Sequence, residues 1–368
     1  MSCFSGPNEV KNGCVLYYDM NNTQKSFKGM PTTNLCVYDI YNWTDGNATV
    51  TRNTTAPIPP PVTGFEISKI QSINGLDTSM DILYTTPIDL AAGINYTHSA
   101  YILLTAGTYA RVGQHWDPWT AGAIQYIPTG VWTRISETIT TVDALHSSIA
   151  NAYGTDGTIY VTGVQYEKTS FMTPFIPGGT TRTNTQSLLD LTSTNTLTST
   201  SLTYASDNTF SFNGSTDYVD ITSSLGVLSN YTISFWCRRD SENKMPVGFR
   251  IGSSFYWYGD NSWAYTHGGV VGEYYYSKPT SIPTGTWGHY CVVYNGANVS
   301  IYRQGIYQGQ QATTGSSDFT SGLRIGYWAG GTGYQFNGPI SSVSMYNRAL
   351  SATEVTQNFN ALRGRYGL

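Results

Sequence analysis

The chain has 368 residues, which is enough for two domains or three small ones. Charged residues make up only 11% of it, against roughly 25% in an average soluble protein, and the formal net charge is −4. The lack of a basic surface for phosphates excludes a nucleic-acid partner, and the lack of a run of about 18 apolar residues predicts no membrane insertion.

The composition predicts an all-β protein. Tyrosine is abundant at 29 residues and glycine reaches 38. Aromatic residues suit a pleated, half-buried surface, and glycine suits tight turns. The first nine residues lack the basic and apolar regions of a secretory signal, so we expect synthesis in the cytoplasm without a signal peptide. In that reducing compartment, Cys237 and Cys291 are expected to be free thiols.

Residues 31–183 form a separately organised region. It opens at Pro31 and closes with a linker-like stretch at 177–183. Between these points the spacing of turn signals is typical of a β-sandwich. Short alternating segments lie at 65–67, 96–103, 132–135 and 158–164.

A plain β pattern begins near residue 205. One predicted strand places Ile233, Phe235 and Cys237 on the same face. Asn295-Gly296 predicts a hairpin because both residues tolerate positive φ, and Gln304-Gly305 predicts the next turn.

One helix is predicted near the C-terminal end. Ser351 and Glu354 have the spacing of a capping box, in which each side chain bonds the backbone N–H of the other residue. Val355, Phe359 and Leu362 follow at i, i+4 and i+7, which predicts an apolar stripe that lies on the sandwich.

Four ordered strings resemble the laminin-G-like, concanavalin A-like lectin/glucanase superfamily, in the branch found in phage and bacterial proteins. They lie at 210–219, 232–236, 287–296 and 338–354, and the last contains Asn-Arg-Ala-Leu-Ser at 347–351. The resemblance implies an all-β, laminin-G-like jelly-roll sandwich with one short C-terminal helix.

The start of the chain resembles the first strand of that family. Gly-Cys-Val-Leu-Tyr-Tyr-Asp stands at 13–19, but the expected continuation, Leu-Leu-Asp-Leu, arrives only at 188–191. This implies a discontinuous laminin-G-like domain of residues 1–30 plus 184–368, with residues 31–183 inserted near its N-terminus. Surface loops accept such insertions when the guest's ends lie close together.

The inserted region resembles a jelly-roll carbohydrate-binding module common in phage structural proteins. The strings that carry this likeness are Trp-Thr-Arg-Ile at 132–135 and the longer segment 163–177. The resemblance implies a second β-sandwich there.

Catalytic machinery is not expected, so the chain is predicted not to be an enzyme. Glycoside hydrolysis needs two carboxyl groups that flank the scissile bond. The glucanases of the resembling family carry a Glu-x-Asp-x-Glu strand, which this sequence lacks, and its seven glutamates are dispersed. The five histidines form no motif with a neighbouring serine or cysteine.

Sugar binding by a β-sandwich relies on exposed aromatic faces with polar partners. Three aromatic clusters qualify, near residues 116, 257 and 275. The alternative is that these residues pack a core, a domain interface or a subunit interface, where aromatic residues are also enriched. The candidate carbohydrate-binding residues are Trp116, Trp119, Tyr256, Trp257, Tyr258, Trp263 and Tyr275.

The resemblance also implies a calcium site, because many relatives bind this ion through loop carboxylates. Asp217 and Asp220 follow a predicted turn and are the candidate ligands. The alternative is that they cap local backbone groups. No cofactor is otherwise required.

Three functions remain open. The first is a non-enzymatic virion surface protein of a tailed phage, a capsid or tail decoration or fibre-knob subunit that binds other virion proteins and forms a homo-oligomer. The second is a receptor-binding lectin on the same particle that recognises a host surface polysaccharide. The third is a glycan hydrolase, which requires a paired-carboxylate cleft.

Overall fold

A computed structural model of the chain describes most of its residues. The described ranges are 7–22, 25–36, 40–43, 48–72, 78–84, 91–115, 123–141, 149–154, 157–200, 202–204, 210–241, 246–249, 254–257, 263–267, 274–275, 283–327 and 334–368. Among these residues no helix has the length and apolar character needed to cross a membrane.

The chain divides into two compact units. The larger unit consists of residues 1–29 and 184–368, and the smaller unit consists of residues 30–183. The larger unit contributes the first strand, β1 (Cys14–Asp19). The strands described in the smaller unit are β2 (Thr32–Thr33), β3 (Ile40–Trp43), β4 (Ala48–Thr51), β5 (Ser68–Ser72), β6 (Thr78–Tyr84), β7 (Asn95–Ala106), β8 (Tyr109–His115), β9 (Gln125–Tyr126), β10 (Trp132–Thr140), β11 (Ile149–Gly154), β12 (Thr158–Glu167) and β13 (Thr181–Arg182).

The smaller unit contains two antiparallel five-stranded sheets. Their strand orders are β10-β7-β12-β5-β4 and β3-β6-β11-β8-β9. The apolar core of this unit includes Ile70, Ile102, Leu104, Val112 and Ile159, all with no exposed surface. β2 pairs with β13, so the chain enters and leaves this unit on adjacent strands.

A buried polar network fixes the chain just before it leaves the smaller unit. The Thr173 carbonyl accepts a hydrogen bond from Nη1 of Arg134 at 2.6 Å. The Thr173 hydroxyl donates to Oε2 of Glu167 at 2.7 Å, and the backbone N–H of Ile176 donates to Oε1 of Gln165 at 2.8 Å. Buried polar groups need such partners because they have lost water. These residues of the string 163–177 therefore have a structural role.

The larger unit is a β-sandwich. Its further described elements are α1 (Asn184–Ser187), β14 (Leu197–Thr200), β15 (Thr203–Tyr204), β16 (Phe210–Asn213), β17 (Tyr218–Ile221), β18 (Val227–Leu228), β19 (Tyr231–Arg238), β20 (Val247–Phe249), β21 (Ser254–Trp257), β22 (Trp263–Thr266), β23 (Tyr274–Tyr275), β24 (Trp287–Tyr294), β25 (Asn298–Arg303), β26 (Ile306–Ala312), β27 (Ser317–Asp318), β28 (Leu323–Ile325), β29 (Asn337–Gly338), β30 (Ile340–Tyr346), α2 (Ala352–Leu362) and a 3₁₀ helix (Arg363–Tyr366).

Two large sheets enclose the core of the larger unit. One has six strands in the order β1-β30-β19-β24-β25-β26, and the other has seven in the order β14-β17-β28-β20-β21-β22-β23. Ile233, Phe235 and Cys237 share the core-facing side of β19, as predicted from their alternation. Val219 on β17 and Ile325 on β28 reach the same core from the seven-stranded sheet. The all-β, jelly-roll prediction is thereby confirmed.

The two turns predicted after β24 and β25 differ in geometry. Gly296 adopts φ 89°, whereas Asn295 keeps a negative φ and uses its side-chain oxygen to accept from the N–H groups of Ala297 and Asn298. The predicted hairpin is confirmed, because β24 and β25 pair antiparallel on either side of this turn. At Gln304 and Gly305 both residues have positive φ, 51° and 72°. Such a pair forms the two-residue turn that matches the twist of adjacent strands.

Helix α2 begins where the capping box predicts. Oγ of Ser351 accepts from the N–H of Glu354 at 3.2 Å, and Oε2 of Glu354 accepts from the N–H of Ser351 at 2.8 Å. Arg348 also pairs with Glu354 at 2.6 Å, and the Arg348 and Ser351 hydrogen bonds hold the pKa of this carboxyl at about 2. Val355 and Leu362 are buried, so the predicted stripe faces the sandwich.

Cys237 and Cys291 lie on opposite faces of the six-stranded sheet. Cys237 belongs to the core between the sheets, and Cys291 belongs to the apolar cluster that contains Val355 of α2. Both are free, which confirms the expectation of unbonded thiols.

Candidate functional site

The outward side of the seven-stranded sheet carries the most distinctive surface cluster of the larger unit. Val219 and Ile221 of β17 point into the core, so Tyr218 and Asp220 point outward. On β28, Arg324 points outward between two core residues in the same way. The register pairs Asp220 directly with Arg324. We call Tyr218, Asp220, Arg324 and Tyr327 the outer surface.

The Arg324 guanidinium contacts two tyrosine rings of the outer surface. Its central carbon lies 4.6 Å from the ring centre of Tyr218 and 5.4 Å from that of Tyr327. The two ring centres are 5.7 Å apart. A cation over an aromatic face is attracted by the negative face of the ring. The cluster therefore holds its rings and its cation in defined positions.

Asp220 accepts one hydrogen bond from the guanidinium. Nε of Arg324 donates to Oδ1 of Asp220 at 3.2 Å. The Arg324 and Asp220 side chains are 21% and 18% exposed, so the pair is half-buried and still reachable from solvent. On the other side of Arg324 the register places Gly248, which adds no side chain to this face. Such a surface offers flat apolar rings beside N–H donors.

Four of the predicted carbohydrate-binding residues lie on three adjacent strands of this same sheet. Tyr256 and Trp257 are on β21, Trp263 is on β22 and Tyr275 is on β23. The register pairs Trp257 with Trp263, and Ala264 lies between Tyr256 and Tyr275. The intervening residues Phe255 and Tyr265 are core residues, each 1% exposed. Trp116, Trp119 and Tyr258 lie outside the described residues.

The two predicted calcium ligands have protein partners in the structure. Asp217 is fully buried, and its Oδ2 accepts from the N–H of Asn213 at 3.0 Å while its Oδ1 accepts from the hydroxyl of Thr216 at 3.2 Å. It therefore caps the turn after β16, and Asp220 pairs with Arg324. Among the residues that the structure describes, no group of three or more His, Cys, Asp or Glu side chains could hold a metal ion.

One carboxyl of the larger unit has a strongly raised pKa. Burial, which disfavours the charged form, raises the pKa of Glu9 to about 7, and the Tyr17 hydroxyl donates to this carboxyl. A raised carboxyl pKa often marks a general acid. The acidic group whose charge also raises this pKa, Asp19, is bound to Arg365 at 2.7 Å and is 2% exposed. Glu9 also precedes Val10, whose N–H donates to Oδ1 of Asn358 on α2 at 2.8 Å, so its burial follows from docking of the N-terminal segment.

The sequence alone did not single out Tyr218, Arg324 or Tyr327. The available signal was a lone arginine between two apolar residues, Leu323 and Ile325, in a chain with few charges. Its pairing with Asp220 spans 104 positions, so only the strand register reveals it.

Part of the larger unit matches a known protein family. Residues 213–356 match the family Laminin_G_3, described as the Concanavalin A-like lectin/glucanases superfamily. The matched residues include β17 and β28, which carry the outer surface. The chain therefore contains a concanavalin A-like domain of lectin-like fold. No curated protein matches the chain.

Solved structures similar to the chain come from several sources. Domain 4 of AbnA, a GH43 extracellular arabinanase from Geobacillus stearothermophilus in complex with arabinotriose, is 18% identical over 46% of this chain and 91% of that one, with a TM-score of 0.38. The native heptameric SAP-like pentraxin from Limulus polyphemus is 19% identical over 40% and 78%, with a TM-score of 0.35. The binding domain of Paraclostridial Mosquitocidal Protein 1 is 18% identical over 47% and 49%, with a TM-score of 0.40.

Proposed function

We propose that the chain is a non-enzymatic surface protein of a tailed-phage particle, a capsid or tail decoration or knob subunit, that binds a host surface polysaccharide through the outer surface of its lectin-like domain. The observation that carries the proposal is the contact of the Arg324 guanidinium with the rings of both Tyr218 and Tyr327 on the outward side of the seven-stranded sheet. The low content of charged residues and the phage-like strings at 163–177 and 338–354 support a role on a phage particle.

The chemistry of the outer surface suits a sugar. A pyranose ring offers C–H groups that pack on aromatic faces and hydroxyls that bond to nearby donors. Tyr218 and Tyr327 supply the faces. Arg324 uses Nε for Asp220, which leaves its terminal N–H groups as donors within the same cluster. A few placed polar groups among apolar ones are typical of sites that fix a ligand's orientation.

A binding role is favoured over hydrolysis. A glycosidase needs a second carboxyl roughly 5–9.5 Å from the first. On the described strands of the outward face the register places one carboxylate, Asp220, and it is paired with Arg324. Glu9 lies with Tyr17 of β1, in the other sheet.

The smaller unit is proposed to be an inserted guest domain of carbohydrate-binding-module type. Pairing of β2 with β13 brings its two ends together, which supports an insertion in a surface loop of the host domain. Its own apolar core supports independent folding.

The proposed assembly is a homo-oligomer on the particle. β26 is an edge strand of the six-stranded sheet, and its first residues, Ile306 and Tyr307, are 65% and 50% exposed. Edge strands with exposed apolar side chains favour pairing with another chain, which supports a subunit contact there.

An antibody against the chain is expected to label assembled particles in cultures that produce both. The measurement is immuno-electron microscopy of purified particles, with antibody pre-absorbed on the purified chain as the control. Label found only in the unassembled soluble fraction would contradict the virion role.

Replacing both tyrosines, Tyr218→Ala with Tyr327→Ala, is expected to weaken polysaccharide binding on the order of 10- to 100-fold, because each ring contributes about 1 kcal/mol. The measurement is interferometry on immobilised polysaccharide from the bacteria to which the particles adsorb. Tyr126→Ala, an exposed tyrosine of the smaller unit, is the matched control and should bind normally. Equal binding by the double variant and the control, with intact folding, would refute this site.

A further inference from the structure

A concavity of the larger unit lies at one end of the six-stranded sheet, away from the outer surface. Its volume is about 340 Å³, near the lower end of the roughly 300–1,000 Å³ typical of small-molecule sites. It shares no residue with the outer surface. The residues that matter to its chemistry are Asn21, Arg238, Trp287, Ser341, Arg365 and Tyr366, and we call it the terminal pocket.

One wall of the terminal pocket is aromatic and firmly supported. The ring centres of Trp287 and Tyr366 are 4.6 Å apart, at an interplanar angle of 39°. Behind them, Tyr366 stacks on the buried Trp236 at 4.4 Å and 20°. Trp287 and Tyr366 are themselves only partly buried. A ligand ring can therefore pack on an aromatic wall that is already held in place.

The charged groups that line the terminal pocket are both cationic. Arg365 pairs through Nη1 with Asp19, which is 2% exposed and does not line the pocket. Arg238 pairs through Nε and Nη2 with Asp240, which also does not line it. Each guanidinium has five N–H donors, so both keep donors beyond these pairs. Among the described lining residues there is no carboxylate to repel an anion.

Neutral polar groups complete the lining. The Asn21 amide donates to the Ser341 hydroxyl at 3.1 Å, and that hydroxyl also bonds the Tyr366 hydroxyl. Such groups exchange hydrogen bonds readily with sugar hydroxyls. We propose that the terminal pocket is a second binding site that takes a sugar unit bearing a carboxylate, with its ring on Trp287 and Tyr366 and its carboxylate between Arg238 and Arg365.

This inference deepens the proposed glycan-binding function by naming a substrate class, but it concerns a different site. The proposed outer-surface site and the proposed terminal-pocket site can therefore be refuted independently of each other. Loss of polysaccharide binding in the Tyr218 and Tyr327 double variant tests the outer surface, whereas binding of a single acidic sugar tests the terminal pocket.

The test is a ligand-observed NMR titration of the full chain with sodium glucuronate, with glucose as the neutral counterpart. Glucuronate is expected to bind at least tenfold more tightly than glucose, because only its carboxylate can pair with the two guanidiniums. Arg238→Gln should weaken glucuronate binding at least fivefold. Arg363→Gln, an exposed arginine of the same C-terminal segment that does not line the pocket, should leave the affinity within twofold.

Trp287→Leu serves as a second variant. It too should bind glucuronate more weakly, because the sugar ring packs on the Trp287 side chain. Equal affinity for glucuronate and glucose, no saturable glucuronate binding, or an unchanged affinity in Arg238→Gln would each overturn the inference. Loss of glucuronate binding in the Tyr218 and Tyr327 double variant would place the ligand on the outer surface instead and would also overturn it.

Discussion

Trp236→Ala is expected to lower the free energy of unfolding of the larger unit by about 3–5 kcal/mol, the range for deleting a large buried aromatic side chain. Trp236 is 2% exposed. It lies on the side of β19 opposite the core residues Phe235 and Cys237, where it stacks on Phe359 of α2 at 5.6 Å and 9°. It also supports Tyr366 of the terminal pocket.

The substitution would therefore open a cavity between the sheet and the C-terminal helix. The measurement is denaturant unfolding followed by circular dichroism, with the transition of the larger unit analysed separately. Trp132→Ala is the matched control, since Trp132 is only partly buried and belongs to the smaller unit. The transition of the larger unit should be unchanged in that control. A loss below about 1 kcal/mol in Trp236→Ala would show that α2 is not anchored by this ring.

Acidification from about pH 6.5 towards pH 4 is expected to destabilise the larger unit by roughly 3 kcal/mol through His289 alone. This residue is 1% exposed, and burial lowers its pKa to about 3. Its Nε2 lies 2.8 Å from the Ser234 hydroxyl, and its ring lies against Trp236 at 5.1 Å. The charged imidazolium would have to form in this apolar setting.

The direction of this pH effect follows from the number of protons that the folded and unfolded states bind. The unfolded state takes up a proton near pH 6.5, and the folded state does so only near pH 3, so the stabilisation is complete above about pH 6.5 and is lost as the pH falls. His267, whose pKa burial also lowers, acts in the same sense. The measurement is the free energy of unfolding at half-unit pH steps.

His289→Gln is the control for this pH dependence, because glutamine keeps a polar group beside Ser234 but does not titrate. Between pH 6.5 and 4 the free energy of unfolding of this variant should fall less steeply than that of the wild type, by about 1.4 kcal/mol per pH unit, the effect of one proton. Identical slopes in the wild type and the variant would show that His289 does not govern acid unfolding.

Short sequence patterns were sufficient to predict local structure, such as the start of a helix, the core-facing side of a strand and the positions of turns. The Ser351 and Glu354 capping box set the start of α2, because both hydrogen bonds join residues three positions apart. Period-two alternation correctly placed Ile233, Phe235 and Cys237 in one core. Asn295-Gly296 and Gln304-Gly305 both lie in the turns that the sequence predicted, between β24 and β25 and between β25 and β26.

The candidate sites depended on information that short patterns lack. Arg324 meets Asp220 and Tyr218 only because β17 and β28 pair in one particular register. The terminal pocket needs residues from the beginning, the middle and the end of the larger unit, such as Asn21, Trp287 and Tyr366. Aromatic clustering pointed to β21–β23 of the seven-stranded sheet, but it did not reveal the contact of Arg324 with two tyrosine rings.

The most direct test of the proposed binding surface is hydrogen-exchange mass spectrometry of the full chain with and without a saturating fragment of the host polysaccharide. Ligand contact stabilises the amides beneath it against local opening. We predict slower exchange in peptides that contain β17, β28 and β20–β23 of the seven-stranded sheet. Protection confined to the smaller unit, or no change anywhere in the chain, would contradict a polysaccharide site on the outer surface.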